Sequence, residues 1–174
     1  FYVACTDART GEPVYRRCDK ADDLTFAWMR ASASMPMVSR PVEIGDRVLL
    51  DGGISDSIPF VFMETRGYNR NLVILTRPRD YVKKPSSMGP LVRRLLRDYP
   101  KTAEAMARRA EAYNRCREQP FRREKAGDIF VLCPEKALPI HRIEHDPAKI
   151  QAVYDLGRAE MDRRRSELLE FLKG

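Results

Sequence analysis

The fold is decided by residues 48–59, Val48-Leu49-Leu50-Asp51-Gly52-Gly53-Ile54-Ser55-Asp56-Ser57-Ile58-Pro59. The apolar run predicts a strand that delivers Asp51 to its end, after which two glycines turn the chain into a helix. Strand ends in α/β sheets are where sites are usually built. A carboxylate held there can accept a hydrogen bond from a hydroxyl nucleophile and act as its base. On spacing alone, an ordinary turn explains Asp-Gly-Gly better than a catalytic site does.

Two β-hairpins are predicted before this turn, because strand-forming residues flank short polar segments that contain Gly11 and Gly45. Their strands are residues 1–6, 13–17, 42–44 and 47–50. Between the hairpins we expect a helix over residues 24–32, with Asp22 or Asp23 as its N-cap and with Pro36 beyond its end.

Helices and strands alternate in the rest of the chain. The predicted helices are residues 58–66, two basic helices within 88–118 that are broken near Pro100, and a long final helix over 147–172. The apolar runs at 71–76 and 128–133 predict strands buried on both faces, as in a parallel sheet. This alternation predicts an α/β layer fold with part of its sheet supplied from elsewhere.

The composition bounds the class of protein. The chain has 174 residues, of which 43% are hydrophobic and 33% charged, so neither a disordered tail nor a membrane protein is expected. The net charge is +7. Residues 88–174 carry most of the excess, with 19 basic and 14 acidic side chains. Its sign would suit an anionic partner, although an ordinary solvated surface explains it better.

The basic residues between 93 and 125 have three interpretations. They could bind nucleic-acid phosphates, contact anionic lipid, or form a solvated helix face. Four glutamates are interleaved with them, and Glu104–Arg108 and Glu111–Arg115 have the i,i+4 spacing of helical ion pairs. We therefore favour the solvated face, do not expect nucleic-acid binding, and place lipid contact between the two.

The cysteines and histidines suggest no metal site. Cys5, Cys18, Cys116 and Cys133 form no CxxC pair, which favours free thiols in a reducing compartment. His145 and Asp146 could belong to a conventional triad. Asp146 before Pro147 is better explained as the N-cap of the final helix, so His141 and His145 receive no catalytic role.

Several segments together resemble the later portion of bacterial patatin-like phospholipases, over residues 1 to about 161. The segments that carry the resemblance are Ala4-Cys5-Thr6-Asp7 with Thr10-Gly11-Glu12, Arg30-Ala31-Ser32-Ala33-Ser34-Met35-Pro36, Asp51-Gly52-Gly53 with Ile58-Pro59, and Asp155-Leu156-Gly157-Arg158. The resemblance implies a three-layer sandwich with a mostly parallel sheet, incomplete in this chain, and a helical C-terminal region. Residues 1–87 would hold the C-terminal half of the catalytic core, with the Asp-Gly-Gly motif. Residues 88–174 would add basic helices, one further strand and a closing helix to the same domain.

The implied chemistry is lipid acyl or ester hydrolysis by a Ser-Asp dyad without a histidine. Asp51 would be the base, Gly52 and Gly53 would shape its turn, and no metal or organic cofactor is implied. Met35 and Met37 lie beside the presumed substrate-side loop and are candidates for an acyl pocket. The substrate would be a lipid or another ester at an anionic membrane surface. We expect a cytoplasmic protein, or one peripheral to the inner membrane.

The sequence also departs from the family pattern. It contains no Gly-x-Ser-x-Gly, the nearest segment being Gly53-Ile54-Ser55-Asp56-Ser57, and no Gly-rich oxyanion segment. It opens at Phe1 within strand-like sequence, so we expect a preceding segment to supply the serine and this chain alone to be inactive. An incomplete sheet would expose an edge, which predicts self-association or aggregation. The alternative function is a non-catalytic interaction module on a degenerate hydrolase scaffold.

Overall fold

The computed structural model describes residues 1–141 and 143–173, which form two compact units. Unit 1 comprises residues 1–59 and 83–117, and unit 2 comprises residues 60–82 and 118–174. The expected parts of one domain, residues 1–87 and 88–174, stay a prediction.

Unit 1 contains an antiparallel four-stranded sheet in the order β2-β1-β4-β3. Its strands are β1 (Tyr2–Asp7), β2 (Pro13–Arg17), β3 (Val42–Ile44) and β4 (Arg47–Asp51). Both predicted hairpins are confirmed, and Gly11 and Gly45 turn with φ of 74° and 60°. In the central pair, Cys5 of β1 lies opposite Asp51 of β4. The end of β4 is therefore braced by a neighbouring strand.

Helices cover both faces of this sheet within unit 1. The helix α1 (Asp23–Ser32) packs on one face, where Trp28 and Leu49 share a cluster. Leu50 and Ile54 pack against α3 (Gly89–Leu95) and the start of α4 (Pro100–Lys125). Leu49 and Leu50 are both fully buried on opposite faces, because successive strand residues alternate. Each such leucine contributes about 1.5–3 kcal/mol of hydrophobic stabilisation.

Unit 2 contains a parallel pair of strands, β5 (Asn71–Ile74) and β6 (Ile129–Leu132). It also contains α2 (Phe60–Thr65), the end of α4, α5 (Pro147–Arg163) and α6 (Arg165–Lys173). The prediction of burial on both faces is confirmed for β6 and wrong for β5. Leu72 and Ile74 are 40% and 66% exposed, because β5 packs only the face that carries Val73.

The mixed α/β class is confirmed. The strand directions differ from a mostly parallel sheet, since three strand pairings are antiparallel and one is parallel. The short turns at Gly11 and Gly45 account for two of the antiparallel pairings, β1–β2 and β3–β4, because a parallel connection needs a crossover of a dozen or more residues. The predicted final helix is divided at Arg164 into α5 and α6. In the part of the chain that the structure describes, no helix is long and apolar enough to cross a membrane.

Candidate active site

The backbone of Asp51 is held from two sides at the end of β4. Its N–H donates to the carbonyl oxygen of Ser34 at 2.9 Å, in the loop that follows α1. Its own carbonyl oxygen accepts a hydrogen bond from Thr6 Oγ1 at 2.8 Å, on β1. Thr6 is fully buried, and its hydroxyl also lies 2.7 Å from Ser55 Oγ. These bonds fix the position from which the Asp51 side chain extends.

The two oxygens of the Asp51 carboxylate differ in their partners. Oδ1 accepts a hydrogen bond from the Gly53 N–H at 2.7 Å, and the carboxylate thereby caps the short 3-10 helix Gly52–Ile54. No donor among residues 1–141 and 143–173 bonds to Oδ2. The side chain is half-buried. One oxygen is thus used to orient the carboxylate, and the other can accept a proton.

Both glycines of the turn are in close contact with other atoms. A Cβ on Gly52 would lie 2.3 Å from the Ala4 carbonyl oxygen, so the strand-to-helix turn can pass β1 only with glycine there. A Cβ on Gly53 would lie 3.1 Å from Asp51 Oδ1 and 3.3 Å from a terminal guanidinium nitrogen of Arg109. The turn therefore packs against β1 at Gly52 and lies beside Arg109 at Gly53.

Arg109 is a site residue that the sequence analysis missed. Its Nε donates to the Gly53 carbonyl oxygen at 2.7 Å, and Ser57 Oγ donates to the same oxygen at 2.8 Å. Because Arg109 is one of the basic residues between 93 and 125, the sequence placed it on the solvated helix face. No local signal in the sequence distinguishes it from Arg108. In the structure, Thr102 lies seven residues earlier on α4 and is fully buried, with its hydroxyl 2.7 Å from the Ala8 carbonyl oxygen. A spacing of seven places Arg109 on the same helix face.

A second carboxylate, Asp56, is satisfied by uncharged donors. Tyr15 Oη donates to Asp56 Oδ2 at 2.5 Å, and the Ile58 N–H donates to Oδ1 at 3.2 Å. Burial, followed by the bond and the charge of Asp56, raises the pKa of Tyr15. Burial first, and the Asp56 charge second, raise the pKa of Cys116 to about 11. Tyr15 and Cys116 are therefore held in their neutral forms at neutral pH.

Cys5 lies opposite Asp51 but is poorly suited to act as a nucleophile. Burial, and then the charge of Asp51, raise the pKa of its thiol to about 12. A thiol attacks as its thiolate, which is scarce so far below this pKa. The Cys5 thiol is also fully buried, so it is not available to a substrate.

The proposed acyl-pocket residues lie in the loop after α1, which reaches Asp51 through the Ser34 carbonyl oxygen. Met35 is half-buried, while Met37 is 42% exposed and has a φ of 79°. A cleft of about 540 Å³ opens beside this loop and is lined by Arg30, Ser34, Ser39, Arg40, Pro41, Val42 and Glu43. The role of Met35 and Met37 in binding an acyl chain stays a prediction.

The other residues that the sequence singled out do not belong to the Asp51 turn. His141 and His145 are exposed, and the predicted N-cap is confirmed, since Asp146 accepts from the Ala148 N–H at 2.9 Å. The Glu111–Arg115 pair is confirmed at 3.6 Å. The Glu104–Arg108 prediction is wrong, because Glu104 pairs with Lys101 at 3.5 Å. The structure describes four free cysteines and, over its described ranges, no cluster of three or more His, Cys, Asp or Glu that could hold a metal.

Two family models match different parts of the chain. Residues 2–63 match the family model of patatin-like phospholipases, which covers both hairpins, α1 and the Asp51 turn. Residues 99–173 match DUF6363, a domain of unknown function, which begins one residue before α4. No curated protein matches the sequence.

Proposed function

We propose that this chain, whose residues 2–63 match the patatin-like phospholipase family, supplies the general base of a lipid acyl hydrolase. Asp51 is that base, and its partner is a serine that lies outside residues 1–174. The observation that carries the proposal is the unequal carboxylate: Oδ1 accepts the Gly53 N–H at 2.7 Å, and no donor among the described residues bonds to Oδ2. The family match supports hydrolase chemistry in general.

In the proposed mechanism, Asp51 moves one proton in each half-reaction. In acylation, Oδ2 accepts the serine proton as the serine oxygen bonds to the ester carbonyl carbon. The protonated carboxyl then returns that proton to the departing alcohol oxygen, which leaves an acyl-serine. In deacylation, Asp51 takes a proton from water as the hydroxide attacks the acyl carbon. The proton then passes to the released serine oxygen, and the second product is a carboxylic acid.

The surroundings of Asp51 support this role. The bond from Gly53 fixes the carboxylate, so that it does not have to be oriented during reaction. Cys5, with its pKa raised to about 12, offers no competing thiolate. We further propose that the ester substrate is presented at an anionic lipid surface, as the excess of basic residues in 88–174 would favour.

A labelling experiment on the full-length protein tests the proposal. A fluorophosphonate probe should label the wild-type serine, and Asp51→Asn should slow labelling by about 10²–10⁴-fold, the usual contribution of a general base. Asp46→Asn is the matched control, because it makes the same change in the exposed turn of the β3–β4 hairpin. An unchanged labelling rate in Asp51→Asn would contradict the role of Asp51. A folded protein that takes no label would instead favour the non-catalytic interaction module.

A further inference from the structure

The first part of α4 contacts the patatin-like part of the chain at several points within unit 1. Thr102 donates to the Ala8 carbonyl oxygen, and the Lys101 carbonyl oxygen lies only 2.8 Å from where a Cβ on Gly11 would stand. Farther along the helix, Arg109 donates to the Gly53 carbonyl oxygen at 2.7 Å. This part of α4 lies within the match to a domain of unknown function.

We propose that Arg109 is a positioning residue for Asp51, an inference that rests on the function proposed above. Its Nε–H holds the carbonyl oxygen of Gly53, and the N–H of the same glycine holds Asp51 Oδ1 at 2.7 Å. Gly53 is therefore the link between the guanidinium and the carboxylate. Two adjacent glycines have wide conformational freedom, so a turn built from them needs an external anchor to keep one geometry.

The guanidinium suits this position better than another side chain would. It is planar and presents several N–H donors in a fixed fork. While Nε bonds to the Gly53 oxygen, a terminal nitrogen lies 3.3 Å from the point where a Cβ on Gly53 would stand. Asp51 Oδ1 is 3.1 Å from that same point. Arg109 thus occupies the space beside the turn as well as bonding to it, and limits the alternatives open to Gly53.

The beginning of the domain of unknown function thereby has a role at the Asp51 turn. By this account, residues 100–109 complete the support of the catalytic turn, with Thr102 anchoring α4 and Arg109 extending to Gly53. Ser57, which lies in the segment that matches the patatin-like family, donates a hydrogen bond to the same Gly53 oxygen. Ser57 lies only four residues after Gly53, whereas Arg109 holds the same oxygen from a separate helix.

The test compares Arg109→Gln, Arg109→Lys and Arg108→Gln in the full-length protein. Arg108 is the matched control, because it is the neighbouring arginine on α4 and its side chain is exposed. For a short-chain ester, Arg109→Gln should lower kcat by about 10–100-fold, since misplacement of a catalytic group by about 1 Å can cost 10²-fold. KM should stay within about twofold. Arg109→Lys should recover part of kcat by donating one hydrogen bond, and Arg108→Gln should match the wild type.

Two further measurements separate positioning from general destabilisation. Unfolding midpoints of the variants show whether the loss of kcat follows stability, and hydrogen exchange of the peptide that spans residues 51–57 reports on the turn itself. We expect faster exchange there in Arg109→Gln than in Arg108→Gln. An unchanged kcat in folded Arg109→Gln, or a loss that follows the unfolding midpoint in all three variants, would overturn the inference.

The same experiments distinguish this inference from the proposed function. If wild-type protein hydrolyses ester and Asp51→Asn does not, the function stands and the Arg109 variants decide the positioning role. If no variant and no wild-type sample shows activity, the proposed function fails. Hydrogen exchange then decides alone, because unchanged exchange over residues 51–57 in Arg109→Gln would show that Arg109 does not hold the turn.

Discussion

Asp51 in unit 1 and Glu124 in unit 2 are both half-buried carboxylates beside a β-strand, but their oxygens have different partners. Asp51 is held through Oδ1 by a single backbone N–H. Glu124 bonds to Arg79 at 2.6 Å through Oε2, and Oε1 accepts from the Val131 N–H at 3.2 Å. Arg164 adds a second positive charge 3.8 Å from Oε1.

The difference indicates which carboxylate can take part in a reaction. The charge of Glu124 is compensated by two arginines, and both of its oxygens are engaged, so it is suited to hold α4 against β6. Arg164 reinforces this cluster, because it donates to the Val131 carbonyl oxygen at 2.7 Å and lies over the Phe130 ring at 4.4 Å. Asp51 has an orienting bond on Oδ1, and no described donor bonds to its other oxygen. A general base needs that combination, whereas a structural carboxylate does not.

The largest effect on stability is expected from a substitution at Gly52, where the Asp51 turn passes β1. Gly52→Ala would place a Cβ 2.3 Å from the Ala4 carbonyl oxygen, which belongs to the backbone and cannot rotate away. We expect the free energy of unfolding to fall by about 1–3 kcal/mol or more, as for other overpacked sites. Fluorophosphonate labelling should be lost with it. Urea denaturation of the variant measures the first effect.

Gly157→Ala is the control for that substitution. Gly157 lies inside α5 with nothing within 4 Å of an added Cβ. Alanine there should raise the free energy of unfolding by about 0.5–1 kcal/mol, because glycine is a poor helix former. Equal stabilities for the two alanine variants would show that the close contact at Gly52 does not exist.

A smaller effect on stability is expected from the charge of Asp56 beside Cys116. The Asp56 oxygens accept hydrogen bonds from Tyr15 and from the Ile58 N–H, and neither donor is charged. Together with burial, the charge of Asp56 raises the pKa of Cys116 from 9.0 to about 11. The folded protein then holds the thiol proton more tightly than the unfolded chain does. The associated stability is complete below about pH 9 and is lost as the pH rises towards about 11.

Unfolding at pH 8 and pH 10 measures this contribution. The loss of stability between the two pH values should be smaller in Cys116→Ala than in the wild type. Asp56→Asn should lower the pKa of Cys116, which thiolate absorbance reports directly, and Asp46→Asn should leave it unchanged. An identical pH dependence in wild type and Cys116→Ala would refute the burial argument.

The local elements were predictable from the sequence because their signals are local. Gly11 and Gly45 indicated both hairpins, and Asp146 indicated the start of α5. The N-cap of α1 was narrowed to Asp22 or Asp23, of which Asp22 is the cap, and the predicted break near Pro100 is the start of α4. The Asp51 turn was found in the same way. The exposure of β5 was not predictable from the apolar run at 71–76, which does not show how many faces of a strand are covered.

Contacts distant in sequence account for what the prediction missed. Arg109 lies 56 residues from Gly53, and its neighbour Arg108 has the same charge and the same helical context in the sequence. Only packing distinguishes the arginine that contacts the turn from the one that faces solvent. Arg164, where α5 and α6 are divided, also makes a distant contact, because its side chain donates to the Val131 carbonyl oxygen 33 residues away.

A paired comparison of Asp51→Asn and Glu124→Gln in the full-length protein tests the central claim most directly. Both substitutions remove one negative charge and keep an acceptor oxygen. Asp51→Asn should label about 10²–10⁴-fold more slowly with an unfolding midpoint near that of the wild type. Glu124→Gln should lose about 1.5–3 kcal/mol of stability and, while folded, label at the wild-type rate. Labelling that survives in Asp51→Asn, or that disappears in folded Glu124→Gln, would contradict the account.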